Sequence, residues 1–121
     1  MRRLILILAV LGAACGPLRH NGPPPAQIIF TNESLDQADV YAVSSSGAQT
    51  RIGTVMPGRT ETLRVPPGAL GGDYSANIVA RILANSRTPR TGPITLNPGD
   101  RMQVTLSSDE RILSALPARE P

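Results

Sequence analysis

The stretch NPGDRMQVTLS, residues 97–107, shows the constraint that governs this chain. Apolar and polar residues alternate over a short run, and proline and glycine end the run before it can become anything longer. With side chains pointing to opposite faces at every step of a strand, Met102, Val104 and Leu106 face inward. Arg101, Gln103, Thr105 and Ser107 face outward. Pro98 then Gly99 is the pair that a type II turn needs, a fixed φ followed by a positive one. Pro57 and Gly58 repeat it in MPGR.

The same grammar runs back along the chain. QIIFTN is apolar and β-rich, and DVYAVS carries Val40, Tyr41 and Val43. QTRIGTV places Ile52 and Val55 near Gly53, a glycine that marks a bulge when it falls inside a strand. RTETLRV alternates with Leu63 and Val65 inward and Glu61 near a sheet edge. In SANIVARILA, Ile78, Ala80 and Ile82 fall on one strand face, Val79 and Leu83 on the other. PITL is a short strand. SSSGA and VPPGALGGD are turn and loop.

About seven short strands with turn signals between them predict an all-β fold, a small β-sandwich of immunoglobulin-like or transthyretin-like type. Residues 75–86 keep a helix open as the alternative, since Ile78, Ile82 and Leu83 also stand at helical spacing. In the tail, residues 108–121, Ser108 reads as an N-cap, Glu110 as a first-turn acid, Ile112, Leu113 and Leu116 as one side of a helix, and Pro117 as a stop. That predicts one to two helical turns, a short C-terminal helix, or fraying. The sandwich domain is assigned to residues 26–107.

The start of the chain is of another kind. Arg2 and Arg3 precede an uncharged apolar run, Leu4 to Leu11, then small residues and Cys15, the single cysteine. These are the parts of a secretory signal peptide. The run from Leu4 to Ala14 spans roughly 16 Å as a helix, too little for a hydrocarbon core of about 30 Å. LGAAC resembles the lipobox of bacterial lipoproteins, with Gly12 where that family usually has leucine. The resemblance implies a signal peptide over residues 1–14, cleavage before Cys15, lipidation of Cys15 with diacylglycerol and a further acyl chain, and a membrane partner held through that anchor. Gly16 behind the cysteine implies delivery to the outer membrane. The alternative is periplasmic or secreted. Residues 15–25, CGPLRHNGPPP, read as a Pro/Gly-rich spacer able to reach about 30 Å.

Without residues 1–14 the chain has 10 arginines against 9 acids and no lysine. That near-balance, with only Phe30, Tyr41 and Tyr74 as aromatics, argues against nucleic-acid binding, which needs a basic cluster or stacking platforms. The single histidine, His20, lies in the spacer, so a Ser-His-Asp site is not available within the domain, and the absence of lysine removes Schiff-base chemistry. No cofactor is expected. Glu33, Asp36 and Asp39 cluster in one loop. Calcium is the functional reading of that cluster. Asn32, Glu33, Ser34 and Asp36 as turn formers is the simpler one.

The order TNESLDQADVYAVSSSGAQTRIGTVMPGRTETLRVP, then ITLNPGDRMQVTL, is similar to a set of small uncharacterised secreted bacterial β-sandwich proteins. The similarity runs through Asn32, Ser34, Asp39 to Tyr41, Arg51, Gly53 to Val55 and Pro98 to Asp100. It implies a fold and no activity. The expected function is therefore a lipid-anchored, non-catalytic envelope module. Its partner would be an envelope protein or the cell wall, met through edge strands or end loops. The alternatives are a small secreted hydrolase, an enzyme inhibitor, or a calcium-binding envelope domain.

Labelled palmitate fed to a Gram-negative host expressing the chain should enter the wild type and not Cys15→Ser. Equal labelling of both would refute lipidation at Cys15.

Overall fold

The computed structural model describes residues 24–118. Eight strands form two four-stranded sheets. They are β1 (Ala26–Asn32), β2 (Ala38–Ser44), β3 (Gln49–Val55), β4 (Thr60–Val65), β5 (Ser75–Arg81), β6 (Arg90–Thr95), β7 (Arg101–Leu106) and β8 (Leu113–Pro117). The orders are β4-β1-β7-β8 and β3-β2-β5-β6. All pairs are antiparallel except β1 with β7. The first two strands of an immunoglobulin constant domain share a sheet. Here β1 and β2 lie in different sheets, and the order fits the transthyretin-like alternative.

Seven of the strands coincide with the alternating segments. Residues 75–81 are strand, so the helical alternative there is removed. β5 pairs with both β2 and β6, and Ile78, Ala80 and the following Ile82 are fully buried. The tail corrects the helical expectation. Leu113–Pro117 is an eighth strand, hydrogen-bonded along β7 from Met102 to Leu106. The reason lies in Ser107 and Asp109. Ser107 Oγ bonds the Asp109 carboxylate at 2.5 Å, and the same carboxylate accepts from the Arg111 N–H at 3.1 Å. These bonds close a hairpin turn, so the polar residues in front of Ile112 serve a strand and not a helix cap.

Inward side chains from both sheets make the core. Phe30 is its one aromatic and is fully buried with Ile28, Ile78, Leu96 and Val104. Burial of each such side chain contributes about 1.5–3 kcal/mol. The expected bulge is present. Register slips between Val40 and Tyr41 where they face Gly53 and Arg51, leaving Ile52 as the extra residue. A Cβ on Gly53 would stand 2.6 Å from Leu63 Cδ2, so glycine there lets the Leu63 side chain, from the other sheet, cross the bulge. Both Pro-Gly pairs turn as read: the Arg59 N–H donates to Met56 O at 3.2 Å and the Asp100 N–H to Asn97 O at 2.9 Å, with Gly58 and Gly99 at φ of +73° and +85°.

Val104→Asp and Leu113→Asp each place a carboxylate in this core and should cost several kcal/mol, against about 5–15 kcal/mol for a whole domain. Gln103→Asp and Ser114→Asp, on exposed neighbouring positions, should cost under about 1 kcal/mol. Urea melts of the four variants check the partition. A harmless Leu113→Asp would mean that β8 contributes nothing.

Candidate functional site

Strand directions gather four loops at one end of the sandwich. β1 and β7 run parallel and end there, and β2 starts there, opposite the end of β5 through Asp39 and Arg81. The loops are residues 33–37, 56–59, 82–89 and 107–112. The chain enters β1 at the other end, so this loop end lies one strand length, about 23 Å, from the side where the spacer leads in.

A buried polar cluster ties these loops together. Asn32 is fully buried at the end of β1. Its Nδ2 donates to Val55 O at 3.0 Å and Asp36 O at 2.8 Å, and its Oδ1 accepts from the Ser34 N–H at 2.9 Å and Ser34 Oγ at 2.7 Å. Asp36 meets Glu110 from the β7–β8 turn, and Asn85 Nδ2 donates to Glu110 Oε1 from the β5–β6 turn. Glu110 is buried and holds a left-handed φ of +63°, a conformation uncommon outside glycine.

The two carboxyls are shifted in opposite directions. The hydrogen bond to Glu110 raises Asp36 above the usual carboxylate range, with burial and the Glu110 charge adding to it. Burial pushes Glu110 up, but contacts with Asp36, Asn85 and Ser34 and the charge of Arg87 outweigh it and hold Glu110 low. The pair is thus polarised, with the proton favoured on Asp36 over Glu110.

The acids expected to cluster part company. Asp39 lies on β2, paired with Arg51 at 3.3 Å and bonded by Thr54 Oγ1 at 2.9 Å. Arg51 also donates to Thr54. Glu33 is exposed, and Asp36 turns to Glu110. Among the described residues no three His, Cys, Asp or Glu side chains come together as a metal site. Cys15, His20 and residues 1–14 lie outside the described residues.

Four exposed apolar side chains lie on the loops of this end, among polar and charged ones. Leu35, Met56, Leu83 and Ile112 are 90, 49, 63 and 60% exposed, one on each of the four loops. Each sits next to the polar cluster in sequence: Leu35 between Ser34 and Asp36, Met56 after Val55, Leu83 two residues before Asn85, and Ile112 two after Glu110. Sequence reasoning read Leu83 and Ile112 as face residues of a strand and a helix and did not find this set. The edge strands offer less. β3 is bulged, β6 carries Gly92–Pro93, β4 carries Glu61 and Arg64, and β8 is five residues ending in Pro117. Bulges, prolines and charges are what blunt an edge against pairing.

Compared with known families and curated proteins, the chain matches no family model and has no significant curated match.

The carboxyl pair makes stability depend on pH in two directions. Asp36, raised on folding, stabilises below its unfolded pKa, and that contribution is lost as pH rises through its folded value. Glu110, lowered on folding, stabilises above its unfolded pKa and loses this as pH falls through its folded value. Urea midpoints should therefore peak in mild acid. Asp36→Asn supplies a permanent donor to Glu110 and should remove the decline on the higher-pH side. An unchanged decline in Asp36→Asn would show that the pair does not cause it.

Proposed function

We propose that this protein is a lipid-anchored, non-catalytic module of the cell envelope that docks a protein partner on the loop end of its sandwich. The observation that carries the reading is the set Leu35, Met56, Leu83 and Ile112, exposed on four loops that a buried hydrogen-bond cluster holds together. Exposed apolar side chains gathered in one place mark interaction surfaces. The charges around them are of both signs, Arg59, Arg87 and Arg111 with Glu33 and Asp109. A bilayer surface favours a basic rim and aromatic anchors. An aliphatic centre with a mixed polar rim suits a protein surface. The tether proposed at Cys15 enters from the opposite end, which turns these loops away from the anchoring membrane.

Catalysis is the weaker reading. The sequence has no lysine and places its one histidine in the spacer, and the Asp36–Glu110 pair is spent on holding loops.

Photo-crosslinking in cells tests the surface. A benzophenone amino acid at Leu35 or Ile112 should give one protein adduct of defined mass, and at Thr62, exposed on β4, none. Leu83→Glu should abolish the Leu35 adduct. Crosslinks to lipid alone, equal adducts from Thr62, or no adduct would overturn the reading.

A further inference from the structure

The outer face of the β3-β2-β5-β6 sheet carries a separate feature. Cross-strand register sets Arg51, Tyr41, Val79 and Arg90 in one row from β3 to β6, with Thr54, Asp39 and Arg81 in the next. Arg51 is engaged by Asp39. The Arg81 guanidinium lies over the Tyr41 ring, 5.8 Å from its centroid, a cation–π distance that restricts where the arginine goes. Arg90 has no side-chain partner among the described residues.

Between these groups is a hollow of about 380 Å³, within the range of small-molecule sites. Tyr41, Val43 and Val79 form an apolar floor, and Arg81, Arg90 and Thr88 stand at its rim. Val79 is only 7% exposed although it belongs to the outward row, so the surrounding side chains wall it in. The one acid of these two rows is Asp39, already paired.

We propose that this hollow binds an oxyanion, a carboxylate or phosphate, borne on a small apolar or aromatic body. A guanidinium offers a planar fork of donors that matches such oxygens two at a time. Arg81 and Arg90 approach from adjacent strands, the Thr88 hydroxyl adds a donor, and the body rests on Tyr41, Val43 and Val79. The site depends neither on the lipid anchor nor on the loop end.

Calorimetric titration of the purified full chain tests it with N-acetylphenylalanine and phenyl phosphate as probes. N-acetylphenylalaninamide and inorganic phosphate are the controls. At least one aromatic anion should bind, and which of the two binds tighter separates carboxylate from phosphate. Both controls should be weaker by about tenfold or more, as expected when a charge-assisted hydrogen bond or the apolar contact is lost. Arg81→Gln and Arg90→Gln should each weaken binding by a similar factor without changing the melting temperature, and Arg90→Lys should fall between Arg90→Gln and wild type. Arg64→Gln, on the other sheet, should bind as wild type does. The proposal is overturned if neither anion binds, if either control binds as tightly as its aromatic anion, or if Arg90→Gln leaves affinity unchanged.

Discussion

The amide of Asn32 is the interaction on which the arrangement of this sandwich most depends. It sits at the end of β1, in one sheet, and donates to the last carbonyl of β3, in the other. All four of its side-chain hydrogen-bonding positions are used. Its backbone is engaged as well, accepting from the Gly58 N–H at 2.8 Å and donating to Arg59 O at 2.9 Å. A buried polar group left unpaired costs about 1–3 kcal/mol, so one side chain governs several such costs at once. Only an amide fits. A carboxylate could not donate to two carbonyls, and an apolar isostere would take from Val55 O and the Ser34 N–H the bonds they make to this side chain. The core cannot replace this specificity. With one aromatic and many small aliphatic residues, it holds the sheets together without dictating how their loop ends meet.

Around that amide the chain must change sheets four times, and the chemistry of each crossing is local. Pro57–Gly58 carries it from β3 to β4, and Pro98–Gly99 leads it into β7. The Gly53 bulge turns β3 where Leu63 of the facing sheet passes over it. With the crossings set, the loops of 33–37, 82–89 and 107–112 are brought within reach of one another, and the Asp36–Glu110–Asn85 bonds hold them there. The four exposed aliphatic side chains are thus displayed from a braced end, so that docking on them need not order long mobile loops, a cost that weakens many interfaces.

Alternation made most of this fold legible in the sequence. Val104 against Gln103 and Leu63 against Arg64 assign their own faces, and the Pro-Gly pairs mark the crossings. β8 was obscured because Ile112, Leu113 and Leu116 also suit a helical stripe, while the strand that holds the last two buries only Leu113 fully and Ala115 in part. An edge strand that short carries too little alternation to outvote an apparent cap at Ser108. The Asp36–Glu110 pair was out of reach for a different reason: two acids far apart in sequence repel unless a fold brings them together with a partner such as Asn85. Leu35 and Ile112 look in sequence like any core aliphatic. Only the loop positions, fixed by strand order, reveal them as surface. Tyr41, Arg81 and Arg90 were equally silent, because their adjacency is created by β-pairing across three strands.

The edges decide where association can occur. A two-sheet sandwich has four edge strands, and each normally invites another strand. Here β3 is bent by its bulge, β6 loses a donor at Pro93, β4 carries the charged Glu61 and Arg64, and β8 stops at Pro117. A partner that added a strand would meet a bulge, a proline, charges or a short ladder at each edge. Surfaces made of side chains are then the better places for association. The loop end and the outer face of the β3-β2-β5-β6 sheet are two of them, different in character as well as in place. The loop end is aliphatic with balanced charge and suits a macromolecular surface. The sheet face is an apolar floor under two arginines, with the only nearby acid already paired, and suits a small anion. β5 and its turn serve both, since Arg81 rims the hollow while Leu83 and Asn85, a few residues on, belong to the loop end. An anion held between Arg81 and Arg90 would tighten the β5–β6 hairpin next to the docking surface. That makes this hairpin an element through which occupancy of the sheet face could reach the loops.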